Sequence, residues 1–135
     1  MRILLLVLSL IISSFPQYSL SAEITMAECN TTIAELNASL PMELDEVTTW
    51  VNTTCVDQSN GAIQLVYENR VKAGNTVTQQ NLNAIRPGII MSWCSGPNLL
   101  PLIQAVDTIN YQYSFENGQN IGELDFSYSD CSSTP

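Results

Sequence analysis

The stretch Ile109-Asn110-Tyr111-Gln112-Tyr113-Ser114-Phe115-Glu116-Asn117-Gly118-Gln119-Asn120-Ile121-Gly122-Glu123-Leu124-Asp125-Phe126 decides how this chain is built. Ile109, Tyr111, Tyr113 and Phe115 alternate with polar residues, the two-residue period of a strand with one buried face. Asn117-Gly118 is a turn dipeptide, so the segment reads as a hairpin. A two-residue loop there sets Ile109 opposite Phe126, Tyr111 opposite Leu124 and Tyr113 opposite Gly122. The large apolar groups then share one side, and Glu123, Asp125 and Ser127 share the other. A slip of one residue scatters that set, so the register is well specified.

Upstream, the run Thr48 to Val56 is rich in β-branched residues and reads as a strand. Asn60-Gly61 turns the chain into a second strand carrying Ile63, Leu65 and Tyr67. Two registers are open here. A two-residue turn puts Cys55 on the face opposite Leu65 and Tyr67, whereas a three-residue loop, Ser59-Asn60-Gly61 with Gly61 left-handed, pairs Cys55 with Leu65. The second is needed if a helix carrying Cys29 is bonded to Cys55. That helix begins at Thr25, whose Glu28 three residues on makes a capping box, and Pro41 stops it after Ala27, Ile33, Leu36 and Leu40. Met42 to Glu46 reads as a loop.

Asn75 to Thr78 offers caps for a helix carrying Leu82, Ile85, Ile89, Ile90 and Trp93, which Pro87-Gly88 should kink or split. Cys94-Ser95-Gly96-Pro97 ends it, and a short helix follows from Asn98 to Ala105. The expected architecture is α+β: a four-stranded antiparallel sheet of two hairpins with three or so helices packed on one face. With no internal repeat or long linker, residues 23–135 form a single domain.

The first residues fit a secretory signal. Met1-Arg2 is followed by Ile3 to Ile12, apolar except for Ser9, and Ser19-Leu20-Ser21-Ala22 supplies small residues for cleavage after Ala22 or one residue earlier. The apolar run is too short to span a bilayer. The first cysteine, Cys29, follows Met26-Ala27-Glu28, so no lipid anchor is expected either. The whole chain of 135 residues has four basic and thirteen acidic side chains and no histidine. Removal of residues 1–22 takes away Arg2 and leaves three basic against thirteen acidic groups, net −10. Such charge excludes a nucleic-acid partner, because phosphate affinity comes from Lys and Arg. Without histidine there is no Ser-His or Cys-His nucleophile and no imidazole metal site. In an exported chain Cys29, Cys55, Cys94 and Cys131 read as two disulfides. Of three connectivities the expected one pairs neighbours in order, each bridge contributing ~3–4 kcal/mol.

The segment Met91-Ser92-Trp93-Cys94-Ser95-Gly96-Pro97, the amphipathic piece Leu99 to Ala105, Ile109-Asn110-Tyr111 through Asn117-Gly118, and the closing Asp130-Cys131 together resemble the beta-type pilotins of the type II secretion system. Leu40-Pro41-Met42 followed by two strands is similar to the family's earlier half. Small exported bacterial proteins with the same Pro-Met, Cys and terminal Asp-Cys pattern are a second resemblance. The pilotin likeness implies a small antiparallel sheet with helices on one face, a Cys94–Cys131 bridge, and a non-enzymatic protein that binds the end of a secretin subunit in an apolar groove. It also implies a bacterial source.

Candidate sites follow from what remains. Ile89, Ile90, Trp93, Leu99, Leu100, Leu102 and Ile103 exceed what one sheet face needs and form the expected partner-binding groove, against the plainer reading that they pack two helices together. The ladder Tyr111, Tyr113, Phe115 and Phe126 is either a stacking platform or core. The carboxylates Glu43, Asp45 and Glu46 are the one acid–base set left, on a solvated loop. Asp57-Gln58-Ser59-Asn60-Gly61 lacks the downstream acid of a calcium loop. Asn30, Asn37 and Asn52 head glycosylation sequons that matter only in a eukaryote. No catalytic, cofactor or metal site is expected. The chain reads as a periplasmic or secreted binding protein whose partner is another envelope or secreted protein. The alternative is an acidic inhibitor of a basic extracellular enzyme such as a lysozyme.

Overall fold

A computed structural model describes residues 24–58 and 61–133. The expected signal peptide, residues 1–22, lies outside them, as do Ser59 and Asn60. Thr25 opens helix α1 (Met26–Asn37) with the capping box in place: the Glu28 N–H donates to Thr25 Oγ1 (3.1 Å), and the Thr25 N–H donates to Glu28 Oε2 (2.9 Å). The helix buries Cys29 and Ile33 and ends at Asn37, short of the expected stop at Pro41, where the chain leaves it through turn bonds from the Ser39 N–H to Leu36 O and from the Leu40 N–H to Asn37 O.

The short strand β1 (Met42–Glu43) follows, where the sequence predicts a loop, and then β2 (Thr48–Asp57) and β3 (Ile63–Val71). Cys55 stands opposite Leu65, and Gly61 has φ +82°, so of the two open registers the one that pairs Cys55 with Leu65 is formed. Helix α2 (Gln79–Ser95) is capped by Thr78 and runs unbroken through Pro87. The expected split does not occur. Proline removes a single hydrogen bond, and both halves are held by buried side chains, Leu82 on one side and Ile90 and Trp93 on the other. Helix α3 (Leu100–Ala105), strands β4 (Thr108–Phe115) and β5 (Asn120–Phe126) and a 3₁₀ turn (Tyr128–Ser133) complete the chain.

The sheet differs from the expected four antiparallel strands. It has five, in the order β1-β2-β3-β4-β5, and β3 runs parallel to β4. Both expected hairpins form, but their inner strands meet side by side. Helices α2 and α3 carry the chain back along the sheet, so β4 starts at the end where β3 starts and pairing must be parallel. The final hairpin has the predicted register, Ile109 with Phe126, Tyr111 with Leu124 and Tyr113 with Gly122. Its turn is one residue longer than predicted: the Phe115 N–H donates to Gln119 O, and Gly118 takes φ +91°. The extra residue is compensated by a bulge at Ile121, which restores the register below it.

Odd-numbered side chains of β3 and β4 face the helices. Ile63, Leu65, Tyr67, Ile109 and Phe126 meet Cys29, Ile33, Ile90, Trp93 and Ile103 in the main core, and Val71, Tyr113 and Leu124 meet Leu82 in a smaller one. The four cysteines form two bridges, Cys29–Cys55, tying α1 to β2, and Cys94–Cys131, tying α2 to the 3₁₀ turn.

Each rim of the sheet, β2 where it runs past the two-residue β1 and β5 on the other side, is closed at one residue by a carboxamide. On β2, Asn37 accepts from the Thr53 N–H (3.0 Å) and donates to Thr53 O (2.9 Å). On β5, Gln79 accepts from the Glu123 N–H (2.9 Å) and donates to Glu123 O (2.8 Å). Arg86 adds two bonds to Asp125 O and an ion pair with Asp130 (3.4 Å). A side-chain amide thus takes the place of the next strand.

Candidate protein-binding face

On the helical side, aromatic rings cross the sheet in a row. Trp50 on β2 stacks on Tyr67 on β3 (5.0 Å between ring centres), and Tyr67 stacks on Tyr111 on β4 (4.9 Å). Trp93 from α2 stands edge-on to Tyr67 (5.7 Å) and donates its indole N–H to the Tyr111 hydroxyl (2.8 Å). The Trp50 indole N–H donates to Thr53 Oγ1 (3.0 Å). Burial raises the hydroxyl pKa of Tyr67 and Tyr113, with the neighbouring Tyr111 adding to both, and pushes Tyr111 itself up to about 12. Of the predicted ladder, Tyr113 and Phe126 are buried and Tyr111 and Phe115 half-buried, so it serves as core and offers no free stacking platform.

The seven predicted groove residues divide in two. Ile90, Trp93 and Ile103 are core side chains, Trp93 only 1% exposed and Ile103 fully covered. Ile89, Leu99, Leu100 and Leu102 are half-buried and pack against that core from outside. The helical period identifies the apolar positions, but not how deep each lies. Two exposed apolar groups were not anticipated: Met42 (41%) on β1, opposite Trp50, and Leu44 (52%) beyond it. Their signal was the alternation of Met42 and Leu44 after Pro41, too short to stand out as a strand. Ile85 and Met91 add exposed apolar surface on α2.

Glu43, Asp45 and Glu46 are exposed. Asp45 accepts from the Val47 N–H (2.8 Å) and the Thr48 N–H (2.7 Å), and the Val47 bond foremost holds its carboxyl below the usual value. It ties the turn into β2, which is a structural task. Two of the three sequon asparagines are also engaged, Asn37 with Thr53 and Asn52 with Glu68 (2.9 Å). Among the described residues no cluster of three or more Cys, Asp or Glu could hold a metal ion, and no helix is long and apolar enough to cross a membrane.

No protein-family profile matches the sequence, and no curated protein matches it. Two solved structures share its fold. One is a Pseudomonas aeruginosa protein assigned as secreted, with TM-score 0.61 and 18% identity over 78% of this chain and 91% of that one. The other is the pilotin of the Vibrio vulnificus type 2 secretion system, with TM-score 0.56 and 14% identity over 78% of this chain and 90% of that one. The fold is therefore pilotin-like, as the sequence resemblance implies. The two bridges point to an extracytoplasmic chain.

Proposed function

We propose that this chain is a non-enzymatic protein-binding module of the bacterial envelope. On this reading it is made with a signal peptide over residues 1–22, carries no lipid anchor, and acts as residues 23–135 in the periplasm or outside the cell. Its target is an apolar or amphipathic segment of another envelope protein, with a secretion-system component as the first candidate because one fold neighbour is a pilotin. The observation that supports the reading is the unevenly covered core on α2 and α3. Ile89, Leu99, Leu100 and Leu102 stand half-exposed around Ile90, Trp93 and Ile103, so a docking segment extends an existing core instead of creating a new one.

The test is crosslinking and recovery from native envelope with the wild-type protein and with Leu99→Glu/Leu102→Glu. A specific partner retained by the wild type and lost from the variant supports the reading. Recovery of the same proteins by both, or of none, counts against it. Mass spectrometry of the exported protein decides processing: an N-terminus at Glu23 with no added lipid mass is expected.

A further inference from the structure

The face of the sheet away from the helices carries a second candidate site, independent of the docking strip. A shallow pocket of about 310 Å³ lies over β3, β4 and β5, lined chiefly by Glu68, Arg70, Gln112, Ser114, Asn120 and Glu123. Strand pairing orders these side chains into two rows. Arg70, Ser114 and Asn120 stand in one row, and Glu68, Gln112 and Glu123 in the next, about 7 Å further along the strands.

Arg70 and Glu68 are two residues apart on one strand and one face, the placement that ordinarily collapses into an ion pair. They form none, since each is held by a different neighbour. Glu68 accepts from the Asn52 amide on β2 (2.9 Å), and the Arg70 guanidinium donates to the Ser114 hydroxyl on β4. The tethers pull in opposite directions across the sheet. Glu123, on the far side of Gln112, forms no ion pair among the described residues. In the row beyond, Asn110, only 4% exposed, donates to Asp125 Oδ1 (2.7 Å), and its own Oδ1 has no hydrogen-bond partner among the described residues. The pocket therefore has a cationic wall, Arg70, and an anionic one, Glu68 and Glu123, that form no ion pair with each other.

We infer that this pocket binds a small zwitterion of the α-amino-acid class, its carboxylate on Arg70 and Asn120 and its ammonium between Glu68 and Glu123 beside Gln112. A lone anion meets two carboxylates there, and a lone cation meets Arg70. Tyr113 also borders the pocket, but it is 6% exposed and packed with Leu82, so a sugar finds little ring face to stack on. The volume is at the small end of ligand pockets, roughly 300–1,000 Å³, in keeping with one amino acid.

The test is an NMR titration of the purified protein with glycine, alanine and glutamine, against acetate and methylammonium as single-charge probes. At roughly 10 mM the amino acids should move the amide signals of Glu68, Arg70, Gln112, Ser114, Asn120 and Glu123, the single-charge probes binding at least about tenfold more weakly. Arg70→Gln and Glu68→Gln, their spectra otherwise unchanged, should each weaken binding about tenfold or more. Ser114→Ala, which keeps every charge but frees Arg70 to close on Glu68, should do the same. Unmoved signals with all three amino acids, equal response to acetate or methylammonium, or variants that bind like wild type would overturn the assignment.

Discussion

The two rims of the sheet are closed by the same chemistry in different surroundings. At β2 the carboxamide comes from the last residue of α1, reaches a strand only 16 residues away, and meets Thr53, which is 1% exposed. At β5 it comes from the first residue of α2, reaches across 44 residues, and meets Glu123 in the open. The β2 rim is also bolted by Cys29–Cys55 between the same helix and strand, whereas Cys94–Cys131 ties α2 to the 3₁₀ turn and leaves β5 itself unbridged. One bond pattern thus carries different weight. Where water is excluded, losing it strands a buried N–H and C=O, and where water is present the solvent replaces most of it.

The largest expected effect comes from the bridges. Cys29→Ser/Cys55→Ser and Cys94→Ser/Cys131→Ser should each cost about 2–5 kcal/mol in urea unfolding. The first pair should raise amide exchange at Thr53, and the second should leave Glu123 unchanged; equal exchange at both rims breaks the contrast. Next comes Asn37→Ala, which removes both bonds to Thr53 and should cost about 2 kcal/mol. Gln79→Ala should cost less, about 1 kcal/mol or below, because its partner groups stay hydrated. Gly122→Ala offers a sharper probe of the same rim. A Cβ there falls 2.0 Å from Gln79 Oε1, so the carboxamide must leave Glu123. Its cost should therefore not add to that of Gln79→Ala in a double-mutant cycle.

Acid gives the smallest effect and separates the rims again. The α1 box holds a carboxylate, and the Thr25 backbone and side-chain bonds keep Glu28 below its usual value. The α2 box uses Asn81, which does not titrate. A lowered folded-state pKa means the contribution is present above the ordinary value, about 4.3, and is lost as pH falls through the lower one. Exchange at the start of α1 should therefore quicken below about pH 4 while the start of α2 holds. Simultaneous fraying of both refutes the assignment.

Much of the fold is legible in the amino-acid sequence. The register of the last hairpin follows from alternation alone, since only one pairing places Ile109, Tyr111, Leu124 and Phe126 together. The turn was not readable, because a longer loop and the Ile121 bulge cancel and leave the same pairing below them. The parallel union of β3 and β4 was also hidden, as a two-residue period says which face is buried but not which neighbour lies alongside. That explains the uneven legibility of the sites. Apolar excess on α2 and α3 shows in sequence, and so does Glu123 opposite Gln112, whereas the pocket also needs Glu68 brought to the other side of Gln112 by that unseen pairing.

The carboxamide closures bear on how this protein can change over time. With Thr53 and Glu123 already occupied, a neighbour gains little by adding a strand at those points, and recognition falls to side chains on the two faces. Side chains can be exchanged singly without disturbing the ladder beneath. A protein built on this frame can therefore acquire, lose or trade partners by point substitution, and two chains only 14% identical share the fold.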